Sequence, residues 1–319
     1  MLTTLIFSTI EISIKLCTGQ FHPIQMTFTR FFIGGLMLIP FTVSALRKKG
    51  VRIAARDFGS FALLGFIGVL VSMSLYQMSV ESTPASVVAV LFSSNPVFVT
   101  ILAFFLLKEQ IHKNNVAALV LEVAGILVII NPLHTKLSVP GVVFAITSTL
   151  FFSLYGVAGK RKCTKYGGIV VTCISFLFGS VEMLVMIGLS NLPAVSSALT
   201  AGGIKLFASI PLFSGYTWKN IAIVAYICLI NTGAGYACYF KAMEETSAQQ
   251  ASLAFFFKPM VSPILSLVIL REVIPLNMLF GIFLVLVGSL CSILPGLIAQ
   301  YCQRQKMDVP AAIPTKRQP

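Results

Sequence analysis

The chain has 319 residues, of which 57% are apolar and only 10% charged, where a soluble domain would carry roughly 25% charge. Its mean hydropathy is +0.93 and its formal charge +13. The apolar content excludes a soluble globular enzyme. The basic residues fall in short loops between apolar runs, which excludes a nucleic-acid footprint.

Taken from the N-terminus, apolar runs close to the ~18–20 residues that span a bilayer predict ten membrane helices. They cover about residues 2–18, 25–46, 58–80, 84–107, 114–131, 139–158, 168–190, 219–240, 248–270 and 276–299. Lipid offers no water to an open strand edge, so such runs must be helical. Met1 leads straight into the first run with no basic segment before it, which reads as a retained helix and not a cleaved leader. The connection 191–217 is the one long loop, rich in Pro, Gly and Ser, and is expected to carry an interfacial helix. The polar stretch 300–319 reads as a disordered cytoplasmic tail. Seven scattered cysteines form no CxxC and read as small buried hydrophobes. His22, His112 and His134 fall at helix ends without metal-ligand spacing, so no metal or other cofactor is expected.

Lys and Arg are distributed unevenly between the loops, which sets an expected orientation. With the N-terminus inside, about sixteen basic residues lie on the cytoplasmic side, among them Arg47, Lys48, Lys49, Lys160, Arg161, Lys162 and Lys165. Only Lys136, Lys205, Lys219 and Arg271 lie outside. Both termini are therefore expected in the cytoplasm, and the bias suits a plasma membrane.

Residues 76–132 align without a gap on 239–295, with about 17 of 57 positions identical. Glu81 falls on Glu244, Phe92 on Phe255, Pro96 on Pro259, Glu109 on Glu272 and Gly125 on Gly288. Upstream, Phe31 and Gly34 match Phe176 and Gly179. Residues 1–132 and 138–299 thus read as two five-helix repeats. Five is odd, so the second repeat enters the membrane from the opposite side. The expected fold class is an all-α membrane protein, ten transmembrane helices as two inverted five-helix repeats. Inverted repeats are a transporter device, since one packing can open to either side of a site near the midplane.

The Arg-Phe-Phe at Arg30, the prolines Pro96 and Pro259, the turns at Glu109 and Glu272, and the glycines Gly125 and Gly288 resemble the drug/metabolite transporter superfamily, specifically its EamA-like branch. The resemblance runs to about Pro295. In place of the Trp-Gly often found in that family's first span, this chain reads Phe7-Ser8-Thr9-Ile10-Glu11. The resemblance implies a central cavity walled mainly by helices one, three, four, six, eight and nine, with five and ten at the periphery. It also implies transport of amino acids, sugars, nucleotide-linked metabolites, choline-like cations or drugs, in some members coupled to protons.

An ionisable group at the bilayer centre costs about 2.5–3.5 kcal/mol on insertion scales, so each one needs a reason. Lys258, in the stretch Phe-Phe-Phe-Lys-Pro-Met, lies about eleven residues from either end of its span, roughly 15 Å at ~1.5 Å per residue. Its readings are an anchor for an anionic substrate group or a lysine buried against a carboxylate. Asn95 is its repeat mate, also before a proline. Glu11 and Lys15, four apart on one helical face, read as an ion pair; alternatively Glu11 faces the cavity, titrating or binding an amine, and brackets a zwitterion with Lys258. Arg30, a turn or two from a helix end, reads as snorkelling or structural. Glu122 reads as structural or as part of an oligomer contact, and Glu182 as a weak proton carrier. Asn231, Tyr76, Tyr155, Tyr236 and Tyr239 are candidates for lining the path. Gly233 and Gly235 join Pro96 and Pro259 as candidate hinges or kinks.

The leading function is a secondary transporter of a small carboxylate-bearing metabolite such as an amino acid, working by alternating access. The expected partners are that substrate, the lipid bilayer, a coupling proton and a second copy of the chain. The alternatives are an exchanger of phosphorylated or nucleotide-linked metabolites, or a channel or receptor on the same fold. The sequence has no Walker GxxxxGK[ST] motif, no HExxH and no clustered Ser/His/Asp set, so neither direct ATP drive nor an enzyme is expected.

Overall fold

The computed structural model describes residues 2–108, 113–130, 138–255, 258–288 and 290–291, and regular structure among them is helical. Among the described residues, ten apolar helices form the bundle, in chain order. The first, α1, comes in two halves, Leu2–Ser8 and Ile10–Leu16. Then come α2 (Pro23–Lys49), α3 (Ala55–Ser82), α4 (Ala85–Leu107), α5 (Lys113–Ile130), α6 (Val139–Tyr166), α7 (Gly168–Ser190), α8 (Ile221–Glu245), α9 (Ala248–Leu270) and α10 (Leu276–Gly288). Seven of these, α2 to α4 and α6 to α9, are long and apolar enough to cross a membrane. The turn at Glu109, the end of the predicted tenth span and the tail 300–319 lie outside the described residues.

Helix starts follow local chemistry. Pro23 opens α2 at a position whose N–H would be unpaired anyway, and His22 Nδ1 accepts from the Ile24 N–H at 3.3 Å. Burial holds the His22 pKa below the ordinary histidine value, which keeps the ring neutral and able to accept. The long loop carries a short helix, Pro193–Ala201, which buries no residue, and Trp218 beyond it is 94% exposed.

The repeat seen in the sequence reappears as paired contacts. Phe31 of α2 meets its mate Phe176 of α7 edge to face, with ring centroids 4.6 Å apart. A Cβ on Gly34 would lie 3.2 Å from the Cys228 carbonyl oxygen on α8. A Cβ on its mate Gly179 would lie 2.9 Å from the carbonyl oxygen of Gly65 on α3, the repeat mate of Cys228. Gly125 and Gly288 likewise set α5 against α10: their added Cβ atoms would meet the carbonyls of Gly281 and Ala118, again repeat mates. Lys108 and Arg271 both end their helices in the left-handed region, at φ 58° and 55°. Both α3 and α8 widen to π-helical turns, at Phe66–Met73 and Tyr226–Ala234, where π turns often accompany functional sites.

The same spacing that sets Phe31 over Phe176 sets Lys15 over Lys160, and the two do the same work at opposite ends. Lys15 Nζ donates to the carbonyls of Val80 (2.8 Å) and Thr83 (3.0 Å), at the end of α3. Lys160 Nζ donates to the carbonyls of their mates Met243 and Thr246, at the end of α8. Terminal carbonyls have no partner within their helix and carry its negative dipole end, so an ammonium is well placed there. At the Lys15 end, Glu272 also accepts from the Ala85 and Ser86 N–H groups at 2.8 and 3.1 Å, capping α4. At the Lys160 end, Glu244 takes Lys49 at 2.6 Å, and Asp57 takes Lys162 and Lys165 at 2.7 and 2.6 Å. The bundle is thus tied at both ends.

Close backbone packing at the mirrored glycines makes a sharp test. A Cβ at Gly179 would come 2.5 Å from the Val69 side chain, whereas one at Gly188 on the same helix meets nothing within 4 Å. Gly179→Ala is expected to destabilise by about 1–3 kcal/mol and Gly188→Ala to be neutral or slightly stabilising, read from thermal unfolding in detergent.

Candidate functional site

Two helix interruptions bring charge to the centre of the bundle. In α1 the Thr9 hydroxyl turns back onto the Ile6 carbonyl (2.8 Å) and meets the Tyr226 hydroxyl (2.9 Å), breaking the helix two residues before Glu11. In α9 the winding tightens over Leu253–Phe255 and α-helix resumes at Lys258, with Pro259 unable to donate. Phe256 and Phe257 lie outside the described residues. In α4 the mirrored break falls at Ser93 and Ser94, ahead of Asn95 and Pro96.

Glu11 and Lys258 face each other across this gap as an ion pair, both essentially unexposed. The Glu11 oxygen that takes the ammonium also accepts the Tyr76 hydroxyl at 2.5 Å. Aromatic rings surround the ammonium, which stands 4.8 Å from the Phe92 ring centre, 5.7 Å from Phe255 and 5.8 Å from Tyr76. A lone charge here would bear the full cost of leaving water; the direct pair, the tyrosine donor and the ring faces offset that cost.

The pair opens onto a small chamber. Its wall takes Phe7 from α1, Tyr76 from α3, Phe92 from α4, Phe152 from α6, Tyr236 from α8, and Phe255 with Lys258 from α9. These are the six helices that the resemblance implies. The free space amounts to about one water molecule, so any metabolite requires the walls to part.

Two expectations are corrected here. Glu11 and Lys15 do not pair: Glu11 binds Lys258, and Lys15 points away to the end of α3. The i, i+4 rule reports adjacency on one face, but the break at Thr9 and the carbonyls of α3 offer each residue a better partner. Arg30 does not snorkel: it is 0% exposed, its guanidinium over the Phe31 ring (4.8 Å) and near that of Tyr76 (5.7 Å).

The other candidates lie around the chamber. Asn95 donates to the Ser153 hydroxyl of α6 at 2.7 Å. The Tyr155 hydroxyl meets that of Ser175 at 2.7 Å, away from the chamber. The Asn231 side-chain oxygen receives Thr9 at 3.5 Å. The Tyr239 hydroxyl has no hydrogen-bond partner among the described residues and lies near Gly156, where an added Cβ would be 3.3 Å away. Gly233 and Gly235 admit α2 and α1 closely to α8, through Met37 and through Ile6 and Phe7. Phe7, Phe92 and Phe152 were not singled out as site residues from the sequence. The repeat carried a signal for them: Phe92 mirrors Phe255, and Phe7 stands to Phe152 as Phe31 does to Phe176.

Comparison with known proteins bears on this geometry. The model of the EamA-like transporter family matches residues 1–131 and again 139–294. An uncharacterized transporter of Clostridium kluyveri is 34% identical over 298 residues, covering 91% of this chain and 90% of that protein. An S-adenosylmethionine uptake transporter of Rickettsia prowazekii is 27% identical over 191 residues, 59% of this chain and 61% of that one. A solved crystal structure shares the fold with a TM-score of 0.63 over 92% of this chain and 94% of its own, at 18% identity.

Removing one partner of a buried pair strands the other charge. Glu11→Gln and Lys258→Met are each expected to lower stability by about 3–5 kcal/mol, and the double variant to recover much of that loss. Unfolding of the four proteins by heat in one detergent checks the cycle; strictly additive losses would mean that the two groups do not interact.

Proposed function

Since this chain belongs to the EamA-like transporter family, we propose that it carries a small carboxylate-bearing metabolite, an amino acid being the leading case, by alternating access. The observation that supports this reading is the buried Glu11–Lys258 pair in an aromatic chamber tied shut at both ends. A zwitterion can enter such a pair without changing its net charge. The substrate's ammonium takes the place of Lys258 on Glu11, over the same ring faces, and its carboxylate goes to a cation of the chamber wall. Lys258, once displaced, is the cation in that wall, and Arg30 adjoins it beside Tyr76.

The mirrored lysines supply the alternation. With the N-terminus in the cytoplasm, as the loop charges suggest, the Lys15 end faces out of the cell and the Lys160 end faces in. Releasing Lys15 lets α1 part from α3 and opens the chamber outward; releasing Lys160 does the same for α6 and α8 inward. Glu11 is placed to carry a coupling proton, because protonating it would weaken its hold on either ammonium. The substrate named for the Rickettsia relative, S-adenosylmethionine, has an amino-acid end and so falls within the proposed class.

The locks can be tested separately. In a cysteine-free background, Ile10→Cys places one thiol in the chamber wall. Adding Lys15→Met is expected to raise its labelling by an impermeant maleimide several-fold from the outside only, and Lys160→Met from the inside only. Increases on the same side for both would end the alternating-access reading. In proteoliposomes preloaded with mixed L-amino acids, a labelled external amino acid of the transported kind is expected to overshoot by counterflow. Plain equilibration would indicate a channel.

A further inference from the structure

Arg30 is among the largest fully buried side chains of the described residues, and its three guanidinium nitrogens have no hydrogen-bond partner among them. A guanidinium carries five N–H donors and does not lose its proton, so burial without acceptors leaves a strong unmet demand. Its surroundings are Tyr236, Tyr76 and Cys228, with Glu11 the carboxylate near enough to act on it. Two of these, Tyr76 and Tyr236, are walls of the chamber. The Tyr76 ring is near both cations, 5.7 Å from the Arg30 guanidinium carbon and 5.8 Å from the Lys258 ammonium.

Charge accounting separates the two cations. Glu11 is the carboxylate of this centre and Lys258 holds it directly. The positive charge of Arg30 is left over, so the centre carries a net charge of about +1, and the described residues offer the guanidinium no acceptor. We infer that Arg30 is the anion anchor of the chamber: it takes the substrate's carboxylate, while Lys258 serves as the counter-ion that the substrate's ammonium displaces from Glu11. The planar fork of Arg30 suits a carboxylate, which it can bind through two parallel N–H bonds; an ammonium acts as a point charge. The Tyr76 hydroxyl holds Glu11 while its ring adjoins Arg30, so one side chain fixes the spacing between ammonium and carboxylate sites.

This inference rests on the amphoteric-substrate reading, and the experiment separates the two. Purified protein is screened by thermal shift against the L-amino acids and, for each, the amine lacking its carboxylate. The wild type is expected to bind at least one acid about tenfold or more tightly than its amine, the scale of a charge-assisted hydrogen bond. Arg30→Gln is expected to reduce that preference to within about twofold, and Arg30→Lys to keep part of it. If no amino acid stabilises the wild type, both the reading and this inference fall. If the wild type prefers the acid and Arg30→Gln keeps the preference, this inference alone falls. Should the variants not fold, phenylglyoxal labelling of Arg30 in the wild type, read by peptide mass spectrometry, decides: protection by the acid and not by its amine supports the assignment, and equal labelling overturns it.

Discussion

The arrangement of the centre depends on one constraint: an ammonium in the middle of a membrane helix must be met by a carboxylate. Lys258 is too deep to reach either surface, and Glu11 is what meets it. For the two to touch, α1 has to unwind at Thr9 and α9 has to change its winding before Pro259. Tyr76 then fixes the carboxylate from α3, and rings from α1, α4 and α9 close around the charge. Helix breaks, aromatic walls and chamber follow from accommodating a single pair of charges.

The symmetry mates of the pair, one in each repeat, show what the same fold looks like without the charges. Asn95 stands where the symmetry would put Lys258, and its amide nitrogen donates to a serine hydroxyl. Gly156 stands where it would put Glu11, so Tyr239, the mate of Tyr76, has a hydroxyl with no carboxylate to hold. The scaffold contacts, Phe31 with Phe176 and the paired glycine–carbonyl approaches, keep the symmetry. The charges break it. Symmetry therefore governs how the halves pack, and asymmetry sets the charge of the centre.

Much of the architecture was legible in the sequence because it is written in spacing. A constant offset between repeats is preserved by packing, so matched residues such as Glu109 with Glu272 and Gly125 with Gly288 pointed to the inverted fold before any coordinate. The depth of Lys258 was legible for the same reason, since rise per residue converts position into depth. Its partner was not. Local rules left Glu11 between Lys15 on its own face and a place across the cavity from Lys258, and only tertiary contact could decide for a helix some 250 residues away in sequence. The snorkelling reading of Arg30 failed because closeness to a helix end says little about exposure once α3, α7 and α8 crowd that end. The wide turns of α3 and α8 rotate the faces that follow them, which no regular periodicity anticipates.

The two lysine locks share a property that a gate of packed side chains would lack. What Lys15 and Lys160 hold is main chain: the last carbonyls of α3 and α8, which have no other helical partner. When either ammonium lets go, both it and those oxygens must be hydrated at once, because neither can be left bare beside lipid. Opening an end of this bundle is therefore inseparable from wetting it. On the proposed alternation, solvent arrives as a participant in the motion at each helix terminus.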